Sequence, residues 1–256
     1  SPQLMYIVAM IIAAACSAVY SLLLSFSAIN LKADQTIGGT ALNMLAPAIV
    51  STIGLAFFNQ EKIEMLKSTK YVIINDELTG LAKILGDRMY ISTYIVIAIF
   101  ILLSIWVYKS KTGMRMRACG EHPQAAASVG INVYKMRYLG TTISGALAGL
   151  GGYVYIATMS GGTAEGTVAG MGFLALAIMI FGNWKPLGIA FGALLFGFLN
   201  CISVMYSQIP ALKALNLPMY FYNIIPYFTV LVVLAFTAKR SGCPKAEGIP
   251  YDKGMR

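Results

Sequence analysis

The sequence predicts an all-α polytopic integral membrane protein, from its hydropathy, its long uncharged runs and the uneven placement of its cations. Of 256 residues, 58% are hydrophobic and only 11% charged, with a mean hydropathy of +0.72. Soluble domains carry roughly 25% charged residues. Seven uncharged runs follow one another: 1–31, 35–60, 89–108, 138–164, 166–184, 186–212 and 214–238. A helix needs about 20 apolar residues to cross the hydrocarbon core, so the chain is read as one membrane domain, 1–256, of about seven transmembrane helices. The fifth run has 19 residues and opens on glycines, which predicts a short, tilted or re-entrant segment. The run 89–108 is the cleanest span, closed by Trp106 and Tyr108 at an interface. The run 35–60 is the least apolar, with Thr36, Gly38, Gly39, Thr40, Asn43 and Pro47, and is expected inside the bundle.

Charge then assigns the sides. The polar segment 59–89 holds five acids and five bases, whereas 109–137 holds six bases against the single acid Glu121. Cations accumulate on the cytoplasmic side, so 59–89 is expected outside and 109–137 inside. Alternation places the turn 32–34 and the basic tail 239–256 inside as well, with Lys213 as a mild exception. Eleven of the nineteen Lys and Arg lie in 109–137 and 239–256. Both segments follow apolar runs, so topology accounts for the net charge of +9 better than a nucleic-acid footprint does.

Within the basic loop a two-turn helix is bounded by strong local signals. Pro123 suits a first helical position, Gln124 to Ser128 continue the helix, and Gly130 suits a left-handed cap. Such a helix is marginal alone in water. Its alanine face has little bulk but allows close approach, which predicts a docking element for a cytoplasmic partner.

The segment 112–155, TGMRMRACGEHPQAAASVGINVYKMRYLGTTISGALAGLGGYVY, resembles the coupling region of permease subunits of bacterial ABC importers. The branched-chain amino acid/ribose-type group is closest, and within it the nucleoside and simple-sugar permeases. His122 stands where that family usually has asparagine. Further matches are GMGFLALA at 170–177, FGNWKPLG at 181–188, Pro226-Tyr227 and GIPY at 248–251. The resemblance implies coupling to an ATPase through Gly120, Glu121, Pro123, Ala125, Ala126, Ser128 and Gly130. It also implies cytoplasmic ATPase subunits carrying ATP and Mg, a second permease subunit, an extracytoplasmic substrate-binding protein and alternating access in a bacterial cell membrane. Relatives usually have further N-terminal helices, and the chain starts with Ser-Pro, so an N-terminally truncated permease is expected. The tail GIPYDKG and the segment LKADQTIGGTALNMLAP look like nucleoside permeases. Ribose-type sugars and branched-chain amino acids follow as substrates.

A pathway for such solutes would use uncharged hydrogen-bonding groups and aromatic walls. Thr40, Asn43, Ser51, Thr52, Ser144, Asn200, Ser203 and Asn223 lie in the runs and should avoid lipid. Tyr155, Phe173, Tyr220, Phe221 and Tyr222 could supply walls. Of these, Thr40, Asn43, Ser144, Phe173, Asn200 and Asn223 are the candidate pathway residues. No carboxylate, Lys or Arg falls within a predicted span, which argues against an ion-coupled secondary transporter. Gly145, Gly149 and Gly152 are expected to pack helices closely.

No catalytic site is predicted. The single histidine, His122, cannot build a triad or metal cluster and is expected to cap the short helix. The chain lacks the G-x-x-x-x-G-K-[ST] phosphate loop, so neither a bound cofactor nor ATP hydrolysis is expected of it. Cys16 and Cys201 lie in apolar runs and Cys119 and Cys243 in basic segments. Neither disulfides nor zinc are expected from that arrangement.

Overall fold

The computed structural model describes residues 2–64, 72–73, 89–206, 218–237, 242–252 and 254. Most of the 59–89 loop and the segment containing Lys213 lie outside the described residues. The chain falls into two compact units, one of 1–168 with 245–256 and one of 169–244, where the sequence was read as a single domain.

In the first unit, helix α1 (Pro2–Ser25) runs into a π turn over Phe26–Asn30. The chain then reverses through Lys32 at φ 52°. Asp34 starts helix α2 (Gln35–Ile53), its carboxylate accepting the N–H of Thr36 at 2.7 Å and of Ile37 at 3.4 Å. Those amides have no partner within the helix, and their hydrogen bonds hold the Asp34 carboxyl below its ordinary range. A second π turn, Gly54–Phe58, extends α2. Two-residue strands β1 (Ile63–Glu64), β2 (Val72–Ile73) and β3 (Met89–Tyr90) precede helix α3 (Ile91–Lys109). Ser110 caps helix α4 (Lys111–Glu121) by accepting the Gly113 N–H at 3.0 Å. A Cβ on Gly113 would collide with the Val107 carbonyl, so this sharp corner requires glycine. Helix α5 (Pro123–Ser128), helix α6 (Val133–Thr158) and strand β4 (Thr163–Ala164) complete the unit.

Helices α1 and α6 form its backbone and run antiparallel. Tyr138 donates to the Asn30 side chain at 2.6 Å, and Ser25 bonds Thr141. Gly145 lies against Ser21, Gly149 against Ala13 and Ser17, and Tyr6 meets Tyr153 edge to face at 5.1 Å. The serines Ser17, Ser21 and Ser25 recur every four residues, so they share one face of α1. The two glycines on α6 have the same spacing, and close approach follows from the missing side chains. Gly152 has nothing within 4 Å of where a Cβ would stand, so it takes no part in this contact.

The turns of the unit gather at two ends. One end holds the 30–34 turn, the start of α6 and the tail, joined by a Lys32–Asp252 ion pair at 2.5 Å. At the other, β1 pairs antiparallel with β4 and Lys62 meets Glu165 at 2.8 Å. Ile91 and Ile95 of α3 pack there against the Tyr6–Tyr153 cluster.

The second unit comprises helices α7 (Met171–Phe181), α8 (Pro186–Met205) and α9 (Met219–Thr237). Phe181 packs edge-on to Phe196 at 6.2 Å, and Tyr206 stacks on Tyr222 at 4.5 Å. The α7–α8 turn passes through Asn183 and Trp184, both at positive φ. Gly188 sits against the Gly182 carbonyl and Gly192 against Phe181. With 11 residues, α7 is about 16 Å long at 1.5 Å per residue, against a hydrocarbon core of about 30 Å. The 166–184 run therefore contributes a short helix entered through Gly166, Ala169 and Gly170 at positive φ. Among the described residues, four helices are long and apolar enough to cross a membrane: Leu4–Asn30, Gln35–Phe58, Ile91–Lys109 and Pro186–Met205. Helix α6 has 26 residues but is less apolar, because glycines, threonines and its cationic start dilute it.

Candidate functional site

Helix α5 stands between α4 and α6 as a single exposed step. Pro123 occupies its first turn, and the chain stops where Gly130 takes φ 84°. There the Gly130 N–H donates to the Ala127 carbonyl at 3.0 Å, and the Ile131 N–H to that of Ala126 at 3.1 Å. This pair is a Schellman cap, which satisfies carbonyls a helix end leaves bare. Asn132 then starts α6 by accepting the Lys135 N–H at 3.1 Å. His122 does occupy the N-cap position, but its side chain makes no cap hydrogen bond. Its backbone carbonyl takes the Ala126 N–H instead, so the expected side-chain cap is absent.

The alanines divide between two faces. Ala126 is buried in a cluster with Cys119, Val133 and Tyr251, and Ala127 is half-buried against it. Ala126 thus faces its own chain, and a docking surface would be made by the others. Glu121, Gln124, Ala125, Ser128 and Val129 are exposed, Val129 at 75%. The Ser128 hydroxyl donates back to the Ala125 carbonyl at 2.8 Å. Gly120 offers its carbonyl to the Ala246 N–H at 2.9 Å. Val129, an apolar side chain held out at the foot of a polar helix, was not singled out by the sequence. Its position one residue before the glycine stop was the available signal.

Cations surround this step. The Arg117 guanidinium lies over the Tyr108 ring at 4.7 Å, and Arg137 donates to the Ile249 carbonyl at 3.0 Å. Burial pushes the Cys119 thiol up, partly offset by Arg137, so the thiolate is disfavoured. The hydrogen bond from Lys32 holds the Asp252 carboxyl below its ordinary range and raises Lys32. The Asp252 contribution is present above the unfolded carboxylate pKa, about 3.9, and lost as pH falls through the lower folded value. That of Lys32 is present below about 10.4 and lost only above it. The contact is therefore constant across neutral pH.

A cavity of about 340 Å³ opens between α1, α2 and α6, within the range of small-molecule pockets, about 300–1,000 Å³. Two of the predicted pathway residues, Asn43 and Ser144, line it. They are joined by Ser17, Tyr20, Ser21 and Thr141, with Leu24, Leu42 and Ala46 as apolar wall. Tyr20 donates to the Leu42 carbonyl at 2.7 Å, which ties α1 to α2 beside the cavity. Thr40 is exposed, does not line it, and donates to its own helix at Thr36 and Ile37. In the second unit Phe173 is exposed and Asn200 half-buried, while the Asn223 side chain lies outside what is described. The serines of α1 each read singly as a helix-tolerant polar residue, so the sequence does not mark them one by one. Their four-residue spacing opposite Gly145 and Gly149 was the signal.

The family described as "Branched-chain amino acid transport system / permease component" matches residues 1–234. This chain belongs to that permease family. The permease is 36% identical over 248 residues to the guanosine ABC transporter permease protein NupQ of Bacillus subtilis, covering 95% of this chain and 77% of the relative. It is 35% identical over 238 residues to the nucleoside ABC transporter permease protein NupC of Lactococcus lactis, covering 92% and 74%. A third relative, the putative glucose ABC transporter permease protein TsgC13 of Haloferax volcanii, is 26% identical over 244 residues, covering 89% and 74%. No solved structure shows a significant match. The permease is accordingly a multi-pass membrane protein and a transport component of ABC transporters.

Proposed function

We propose that this permease forms part of the membrane pathway of a nucleoside importer in a bacterial cell membrane, driven by separate ATPase subunits that bind ATP and Mg. The observation that carries the energy coupling is α5, a capped step whose exposed face ends in Val129. The substrate class rests on the relatives NupQ and NupC, named for guanosine and nucleosides. A second permease subunit completes the pathway, and an extracytoplasmic binding protein delivers solute at the β1–β4 end. The permease performs no covalent chemistry. Closure of the ATPase subunits displaces α5, and α6 carries that motion along its contact with α1 to the cavity.

The cavity suits an uncharged solute. Asn43 offers two donors and an acceptor, and serine and tyrosine hydroxyls adapt to either role, while the leucines can flank a flat base. A hydrogen bond whose loss leaves its buried partner unpaired is worth about 1–3 kcal/mol, roughly five- to a hundred-fold in affinity. Asn43→Ala is therefore expected to slow uptake by about that factor without weakening binding of the ATPase subunit. Radiolabelled guanosine uptake in a nucleoside-uptake-deficient strain expressing the whole importer tests both parts. Competition by adenosine and uridine but not by leucine or ribose supports the substrate class, and competition by leucine alone overturns it in favour of a branched-chain amino acid.

The sidedness has its own test. In a cysteine-free background, Thr79→Cys in the 59–89 loop should react with an impermeant maleimide added outside intact cells. Ser110→Cys, at the α3–α4 corner, should stay unlabelled until the membrane is opened. Equal labelling of both would refute the arrangement.

A further inference from the structure

We propose that the C-terminal segment 246–252 is a fixed clamp that holds the α4–α5–α6 step to the α1–α2 turn, making Tyr251 and Asp252 positioning residues for energy coupling. The segment is tied at four points within seven residues. The Ala246 N–H donates to the Gly120 carbonyl at 2.9 Å, just ahead of α5. After a turn through Gly248 at φ 75°, the Ile249 carbonyl accepts from Arg137 near the start of α6, at 3.0 Å. The Tyr251 ring is buried, edge-on to Tyr134 at 5.3 Å, in the cluster that holds Cys119 of α4, Ala126 of α5 and Val133 of α6. Asp252 then reaches Lys32 in the α1–α2 turn.

The arrangement has a mechanical consequence. The three helices of the step share one buried cluster, and the tail closes it. A push on the exposed face of α5 meets Tyr251 through Ala126, the residue of α5 that turns inward. From there it passes by Asp252 and Lys32 to the turn joining the two helices that flank the cavity. The exposed ion pair is a weak link, screened by salt. Tyr251 is the strong one, because it fills the gap that a six-residue helix of small side chains cannot close. Released from the tail, α5 would still bind its partner but would slip against α4 and α6, so that less of its motion reaches α1 and α2.

This inference rests on the reading of α5 as the ATPase contact, and the test separates the two. The complete importer is reconstituted in inside-out vesicles, with Cys119 as the sole cysteine of this chain. Two quantities are measured: the rate at which a maleimide labels Cys119, and solute transported per ATP hydrolysed. Tyr251→Ala is expected to speed Cys119 labelling tenfold or more. It should lower transport per ATP at least tenfold with the ATPase subunits still bound. Tyr251→Phe keeps the ring and restores both. Asp252→Lys is expected to speed labelling about threefold, and Lys32→Asp combined with Asp252→Lys to reverse that, which tests the clamp without emptying the cluster. Unchanged labelling in Tyr251→Ala, or fast labelling with transport per ATP within twofold of the parent, overturns the clamp. Val129→Glu, on the exposed face, reads the underlying assumption. If it lowers transport per ATP while Tyr251→Ala does not, the clamp alone fails. If neither variant lowers it, the coupling role of α5 fails too.

Discussion

Gly149→Leu is expected to remove the permease from the membrane, the largest effect of any single substitution here. A Cβ at Gly149 would strike the Ala13 carbonyl and the Ser17 side chain. Neither can withdraw, because one is helix backbone and the other has no further bond to rotate away from the contact. Overpacking in a filled interior costs about 1–3 kcal/mol even where side chains can adjust, and backbone opposite backbone leaves only separation of α1 from α6. That contact also positions Ser21 and Ser144 beside the cavity, so assembly and transport should fall together. Gly151→Leu is the matched control, since Gly151 is exposed with open space where its Cβ would stand. Protein in the membrane fraction and its melting temperature in detergent measure the difference. A Gly149→Leu protein as abundant and heat-stable as the Gly151→Leu protein would contradict the helix pairing.

Ala126→Arg is expected to abolish uptake while the chain still inserts, because the apolar spans are untouched. Ala126 is 4% exposed among Cys119, Val133 and Tyr251. An unpaired buried charge costs several kcal/mol, so the arginine would leave the cluster and take α5 with it. Gly130→Val should do the same by another route. The residue sits at φ 84°, a left-handed conformation that costs an ordinary residue about 1–2 kcal/mol, and more when it is β-branched. The Schellman hydrogen bonds of Ala126 and Ala127 would be lost with it. Ser128→Ala removes only a hydroxyl bonded back to its own helix and should transport within about twofold of the parent. Uptake normalised to membrane protein distinguishes the three. Normal uptake by Ala126→Arg would mean that α5 transmits nothing.

Much of the α4–α5–α6 step is legible in the chain. Pro123 and Gly130 act on the backbone they belong to, so their effect is readable without knowing what surrounds them. The same is true of the apolar runs and the basic loop, whose hydropathy and charge belong to each segment's own composition. What the residues did not reveal is which alanine of α5 turns inward, because six residues on a short helix have no preferred face until something covers one. Asn43 and Ser144 were marked as polar groups in apolar runs, yet so was Thr40, whose hydroxyl is occupied by its own helix. Polarity alone cannot separate a serine or threonine that faces a cavity from one that bonds back to the preceding turn.

Sequence alone determines the membrane class, the basic segments, the position of the short helix α5 and the family, since each rests on interactions among neighbours or on the bulk free energy of transfer. The fold had to supply the pairing of α1 with α6, the cavity beside it and the docking of the tail. Those depend on surfaces that meet across long stretches of chain, with Tyr138 and Asn30 separated by 108 residues and Lys32 and Asp252 by 220. A glycine facing a serine stripe, or a tyrosine closing a gap over an alanine, acquires its meaning from shape complementarity between distant segments. Local composition carries no record of that match.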